Sequence, residues 1–188
     1  MDDPYAVGRR AFLKTGATAA AATAVACGAP TSRFRVLRED EARTLFAACN
    51  QIVPPDQDPG AGDAGAVRFV DRQLATRWKK DLPFWRAGIV GLDATARRRH
   101  GQPFAALPLE VQTSLLQDVE KGAVEAADWS GAPPRTFFER LRVATMMSFY
   151  GDPRHGGNQG RVSWKMLGVP DPPLRGRLHE TAPPTRRG

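Results

Sequence analysis

The residues best equipped for chemistry lie near the C-terminal end, in the stretch FYGDPRHGGNQGRVSWKMLGVP, residues 149–170. Asp152 stands three positions before His155, so its carboxylate could orient the imidazole for acid–base catalysis, with Arg161 nearby. A carboxylate at this spacing on a loop more commonly forms a local hydrogen bond. The sequence therefore offers a candidate site at Asp152, His155 and Arg161 together with a purely structural explanation of the same residues.

Other kinds of active site lack the residues that they need. GGNQG at 156–160 contains the glycines of a nucleotide cradle, but it follows a helix and lacks the Lys-Ser or Lys-Thr of a P-loop. The three histidines, His100, His155 and His179, are far apart, and no Cys-x-x-Cys occurs. Ser163 has no nucleophile elbow around it. We therefore predict no catalytic residue, no metal site and no cofactor on this chain.

The same stretch has the composition of a binding loop. Its glycines allow backbone angles that other residues avoid. Tyr150 and Trp164 stand at its two ends, with Arg154 and Arg161 nearby, and aromatic anchors with arginines are typical of binding hot spots. Alternatively, Tyr150 and Trp164 hold the loop against its own domain, and both explanations can be true together.

The elements that must position this loop are helices. From Glu39, apolar residues recur at helical spacing until Pro54-Pro55 ends the pattern. Similar stripes run over 64–79, from Phe84 to His100, from Pro108 to Val119 and from Pro134 to Tyr150. Val162–Met166 comes nearest to a strand and is too short to carry a sheet.

These patterns predict an all-α fold with one helical domain over residues 34–172. We expect about five helices and an irregular Gly/Pro-rich C-terminal segment packed on them. The tail, residues 173–188, is predicted to be disordered.

The first 27 residues have the pattern of an export signal. An arginine pair is followed by an apolar run that is too short and too weakly apolar to span a membrane. The twin-arginine motif consists of Arg9, Arg10, Phe12, Leu13 and Lys14, with Gly8 where Ser or Thr is usual. Two outcomes stay open at its end: cleavage after Ala26, or lipid attachment at Cys27. Either places the protein on the periplasmic side of the cytoplasmic membrane.

The formal net charge of +7 and the two cysteines restrict the partners and the covalent structure. A basic chain can bind nucleic acid, but an exported one does not meet it, so the charge suits anionic lipid or an acidic protein surface better. Cys49 falls on the apolar stripe of the first helix, which predicts a buried structural thiol. A Cys27–Cys49 disulfide is available only if Cys27 is neither lipidated nor removed with the leader.

Two long motifs carry a resemblance to a known family. One is QIVPPDQDPGAGDAGAVRFVDRQL, residues 51–74, and the other is the stretch 149–170 quoted above. LPFWRAGIVGLDATARRRHGQPFAALP lies between them, at 82–108. With these motifs in this order, the chain resembles the gluconate 2-dehydrogenase subunit 3 family over residues 35–172.

The resemblance implies a helper role in a sugar or polyol dehydrogenase complex. In such complexes a large flavoprotein of the glucose-methanol-choline type binds FAD and oxidises the substrate, and in some a multihaem cytochrome c (with haem c) takes the electrons. The small subunit holds no cofactor, assists maturation of the large one and provides its signal for the twin-arginine translocase. Two alternatives are an independent periplasmic enzyme using Asp152, His155 and Arg161, and a lipoprotein that only anchors the complex to the membrane surface.

On the helper hypothesis, the turn-rich loop PPDQDPGAGDAG at 54–65 and the loop after Tyr150 contact the large subunit. The predicted partner-binding residues are Pro54, Pro55, Pro59, Gly60, Tyr150, Gly151, Pro153, Arg154, His155, Gly156, Gly157, Asn158, Arg161 and Trp164.

Overall fold

A computed structural model describes residues 33–169 of the chain. Within this range the secondary structure is helical, without strands. The α-helices are α1 (Glu39–Ile52), α2 (Ala66–Leu74), α3 (Leu82–His100), α4 (Leu109–Lys121), α5 (Pro134–Tyr150) and α6 (Val162–Met166). Single 3-10 turns lie at Lys79–Asp81, Phe104–Ala106, Ala126–Asp128, Pro153–His155 and Gln159–Arg161.

The helix ends follow from local chemistry. The first turn of α1 is acidic, and the Glu41 carboxylate accepts a hydrogen bond from the backbone N–H of Arg38 at 2.8 Å. Pro54, two residues beyond the end of α1, cannot continue a helix. Gly101 and Gly122 follow α3 and α4 with φ values of 75° and 68°, the left-handed conformation that commonly terminates a helix.

Helices α1 and α5 lie at the centre of the bundle. Helix α1 contacts α2, α3, α4 and α5, and α5 also contacts α2, α3, α4 and α6. A chain of aromatic rings runs through the core from Phe69 to Trp78, Trp85, Phe137 and Trp129, with centroids 5.8–6.2 Å apart. Such pairs add to the hydrophobic effect of burial and orient the helices that carry them.

The all-α prediction and its main helices are confirmed, with two differences in detail. Residues 162–166, the stretch nearest to a strand by sequence, form the short helix α6, which contacts α5. The second helix ends at Leu74 and not near Lys79, because the chain turns there and the N–H of Trp78 donates to the carbonyl of Gln73 at 2.8 Å. This turn lets Trp78 stack on Trp85, a tertiary contact that periodicity does not reveal.

The prediction of a buried Cys49 is also confirmed. Its side chain has no exposed surface, and the hydroxyl of Thr145 donates to its sulfur at 3.3 Å. Burial raises the pKa of the thiol to about 11. Cys27 lies outside the described residues, as do the twin-arginine motif and the tail from 170 onward.

Candidate functional site

The loop after α5 folds back on the helix that precedes it. Asn158 is completely buried, donates from its side-chain amide to the carbonyl of Gly151 at 2.9 Å and accepts from the N–H of Ser163 at 3.1 Å. Its φ of 45° is left-handed, a conformation that asparagine tolerates better than most residues. The Ser163 hydroxyl donates to the carbonyl of Phe149 at 2.5 Å. Asn158 and Ser163 thus join the two ends of the loop.

The aromatic residues at the loop ends serve in part to hold it. The indole N–H of Trp164 donates to the carbonyl of Tyr150 at 3.2 Å, and the Tyr150 ring packs edge-on against Phe149, with centroids 5.1 Å apart. Of the two explanations drawn from the sequence, attachment of the loop to its own domain is therefore observed. Tyr150 still exposes 43% of its surface, so it remains available for a partner.

The two glycine-rich segments meet in space. The N–H of Gln159 donates to the carbonyl of Ala64 at 2.8 Å, and the amide of Gln159 donates to the carbonyl of Gly156 at 3.3 Å. Gly65 sits against this contact with a φ of 94°, and a Cβ there would lie 2.7 Å from the carbonyl oxygen of Gly156. Only glycine fits this position, which holds the two segments against each other at Ala64–Gly65 and Gly156–Gln159.

The proline-rich segment is tied in turn to the end of α1. The side-chain oxygen of Asn50 accepts from the N–H of Gly62 at 2.7 Å, and its amide donates to Asp63 at 3.1 Å. The N–H of Ala61 donates to the carbonyl of Val53 at 3.0 Å. These bonds give the loop a defined shape.

Burial divides the residues predicted to contact a partner into three groups. The exposed ones are Pro54, Pro55, Pro59, Tyr150, Arg154, His155 and Arg161. Those of intermediate exposure are Gly151, Pro153 and Trp164, and those buried within the domain are Gly60, Gly156, Gly157 and Asn158. The buried residues shape the loops, and the exposed ones form their solvent-facing surface. Whether a partner contacts them stays a prediction.

Asp152 is engaged by Arg154 rather than arranged as a catalytic base. The Arg154 guanidinium donates to one Asp152 oxygen at 2.6 and 2.9 Å, and the Arg154 N–H donates to the other at 2.9 Å. The side-chain hydrogen bond from Arg154, the larger cause, and its backbone hydrogen bond lower the pKa of Asp152 to about 2. A carboxylate with this pKa is a weak proton acceptor at neutral pH. The link from His155 to Asp152 is backbone to backbone, at 3.0 Å.

Asp71 is a structural centre that the sequence interpretation did not single out. Its buried carboxylate accepts three backbone N–H bonds, from Arg35 at 2.8 Å, Val36 at 2.9 Å and Leu37 at 3.0 Å. Arg86 adds a bond to the carbonyl of Val36 at 2.8 Å. The segment before α1 is thereby fastened to α2. The only sequence signal was a carboxylate on the apolar face of a helix.

Within residues 33–169, no group of three or more His, Cys, Asp or Glu side chains is placed to hold a metal ion. None of the helices described there combines the length and the apolar character needed to cross a membrane. The described fold also lacks the strand, glycine turn and helix of a dinucleotide site.

Comparison with known families identifies the domain. The sequence profile of the family described as Gluconate 2-dehydrogenase subunit 3 matches residues 39–170. The chain belongs to this family. The comparison with curated proteins and the comparison with solved structures returned no match. The match confirms the resemblance inferred from the two motifs, and it includes both segments that meet at Ala64 and Gln159.

In this member of the gluconate 2-dehydrogenase subunit 3 family, the polar residues inside the glycine-rich loop are used for its own structure. Asn158, Gln159 and Ser163 each hold backbone groups of neighbouring segments. Gln159 and Asn50 were missed as key residues by sequence reasoning, because an amide side chain gives no periodic or spacing signal.

Proposed function

We propose that this chain is the non-catalytic small subunit of a gluconate 2-dehydrogenase-like complex that oxidises a sugar or polyol. It assists maturation of the large flavoprotein and carries it to the periplasmic side of the membrane through the twin-arginine translocase. The single observation that carries the proposal is the family match over residues 39–170. The export part of the proposal is supported by the twin-arginine motif at Arg9 and Arg10.

In this proposal the redox chemistry belongs to the partners. The large subunit binds FAD and removes hydride from the substrate, and a cytochrome subunit, where the complex has one, receives the electrons through haem c. FAD is inserted as the large subunit folds in the cytoplasm. Because the twin-arginine route carries folded cargo, one signal on the small subunit can export both chains.

The independent-enzyme alternative is disfavoured by the geometry around Asp152. Its carboxylate is held by the guanidinium of Arg154 and stays ionised well below neutral pH, so it is a poor general base. The alternative predicts that the purified chain by itself turns over a sugar or binds flavin. We expect a colourless preparation without dehydrogenase activity.

The proposal is tested by co-expression with the large flavoprotein expected to be encoded beside this chain. Changing Arg9 and Arg10 to Lys should keep the FAD-loaded flavoprotein in the cytoplasm. The matched control changes Arg97 and Arg98, an adjacent arginine pair at the end of α3, to Lys and should leave export intact. If the Arg9 and Arg10 variant delivers as much flavoprotein to the periplasm as the Arg97 and Arg98 variant does, the escort role is refuted.

A second variant separates escort from anchoring. If Cys27 is lipidated, Cys27→Ala should release the complex from the membrane while export continues, since acyl chains supply about 0.8 kcal/mol per buried methylene. If the chain is only an anchor, Cys27→Ala abolishes membrane association while the Arg9 and Arg10 variants have no effect on the large subunit.

A further inference from the structure

Helix α5 carries a second apolar face that the other residues of 33–169 leave exposed. Val143, Met146, Met147 and Tyr150 follow the i, i+3, i+4, i+7 spacing of one helix face. Met146 exposes 38% of its surface and Met147 exposes 50%. The core-facing side of α5 is formed by other residues, among them Leu141 and Ala144. We call the four exposed residues the α5 stripe.

Beside the α5 stripe lies a hollow of about 440 Å³, lined by Phe69, Met146, Met147 and Tyr150 on its apolar side. Gln73, Arg77 and His155 form its polar side. Apolar residues at the surface are usually scattered, so a stripe joined to a concave hollow indicates a contact site.

A second hollow of about 370 Å³ adjoins the first and shares Gln73, Arg77 and His155 with it. Its basic lining consists of Arg35, Arg72, Arg77 and Arg154. None of the described residues that line either hollow is acidic. Arg154 is already paired with Asp152, but Arg72 and Arg77 take part in no ion pair between described residues.

We propose that the α5 stripe and these two hollows form one docking surface for a segment of the large subunit in which apolar side chains are flanked by carboxylates. This inference rests on the proposed function and specifies which surface performs it. The apolar half of the segment covers Met146, Met147 and Tyr150, and its carboxylates reach Arg72 and Arg77.

The chemistry of the surface favours a protein segment over a membrane. The cationic groups in the hollows are arginines, whose planar fork binds carboxylates through paired hydrogen bonds. They line a concavity and so fit a protruding chain better than the plane of a lipid headgroup layer. Methionines adapt their shape to a partner, and Tyr150 provides an aromatic anchor.

The test uses the full chain with a C-terminal tag, co-expressed with the large flavoprotein, and measures the flavoprotein recovered with it. Arg77→Glu and Met147→Ser should each lower the affinity about tenfold or more, as expected for a charge and an anchor within an interface. Arg97→Glu and Val90→Ser are the matched controls, because both residues are exposed on α3 and line neither hollow. These controls should bind like the wild type, and thermal unfolding should confirm that every variant folds.

The salt dependence gives a second readout. Wild-type binding should weaken from about 0.1 M to about 0.5 M NaCl, and Arg77→Glu should show a smaller change, because screening acts on the charge pairs that this variant lacks.

Failure of this inference is distinguishable from failure of the proposed function. If the wild type retains no flavoprotein, the proposed function fails. If the wild type retains it and Arg77→Glu and Met147→Ser retain it equally, only the docking surface is wrong. If those variants instead lose binding to vesicles of anionic phospholipid while keeping the flavoprotein, the surface faces a membrane and the inference is overturned.

Discussion

The backbone N–H of Gln159 donates to the carbonyl oxygen of Ala64 at 2.8 Å, joining two segments that are distant in sequence. Gly65 stands at this joint with a φ of 94°, and an added Cβ would approach the Gln159 side-chain nitrogen to 2.6 Å. The joint is therefore sensitive to a single methyl group.

Gly65→Ala should destabilise the domain, because alanine must adopt a left-handed backbone and also meets Gln159 and Gly156. Gly101→Ala is the matched control, since Gly101 has a similar φ of 75° but a Cβ added there would meet no atom within 4 Å. Gly65→Ala should lower the free energy of unfolding by roughly 1 kcal/mol or more beyond the control, measured in denaturant. Equal losses would show that the contact with Gln159 has no steric role.

Asn158→Ala should be costly because it removes both hydrogen bonds that join Gly151 to Ser163. The buried N–H of Ser163 left without a partner costs about 1–3 kcal/mol, and the partly buried carbonyl of Gly151 costs less because water can reach it. Asn158→Gly removes the same bonds but fits the φ of 45° without strain, so it should lose less than Asn158→Ala. Chemical denaturation of the two variants measures the difference, and an unchanged stability would contradict the structural role of Asn158.

Asp71→Asn should loosen the segment before α1. The asparagine keeps one acceptor oxygen and turns an amide donor toward backbone N–H groups, so a loss of about 2 kcal/mol is expected. Hydrogen exchange at Arg35, Val36 and Leu37 should accelerate. Glu120→Gln, at an exposed carboxylate on α4, is the control and should change stability by less than about 0.5 kcal/mol. Unchanged exchange at the three amides would argue against the Asp71 contacts.

The carboxyl of Asp152 should titrate with a pKa of about 2. The carbon-13 chemical shift of this carboxyl group, recorded against pH, measures the titration. Because this folded-state pKa lies below the ordinary value of 3.8, the stabilisation from the Arg154 pair is complete above pH 3.8 and disappears as the pH falls through about 2. Arg154→Met removes the main cause and should return the pKa toward 3.8. A normal pKa in the wild type would contradict the observed pairing.

Cys49 should be unreactive toward thiol reagents in the folded protein, because it is buried and its pKa is raised to about 11. A Cys27→Ser variant leaves Cys49 as the only cysteine and makes the measurement specific. Labelling should appear only when denaturant unfolds the chain. Rapid labelling of the native variant would show that the α1–α5 contact opens readily.

Much of this fold follows from local rules. Helix α1 follows from the apolar stripe that contains Cys49, and Pro54-Pro55 prevents it from continuing. Helix α3 ends before Gly101. Each of these signals determines the backbone only over the few residues around it. The motifs around Gly65 and Gly157 were sufficient to identify the family, since unusual residues in a fixed order are informative without any contact being known.

The roles of individual loop residues were decided at a distance. Nothing near Gln159 in the sequence indicates Ala64, and nothing near Asp71 indicates the N–H groups of residues 35–37. The exposed stripe on α5 has the same spacing as a buried one, so periodicity alone cannot tell which apolar face the other helices cover.

By itself the sequence determined the helical class, most of the helix ends and the family, because these depend on short-range backbone and side-chain preferences. Only the tertiary structure decided which polar groups of the glycine-rich loop are buried in its own framework and which remain exposed. Burial and hydrogen-bond pairing arise from contacts between residues far apart along the chain, and no local pattern encodes them.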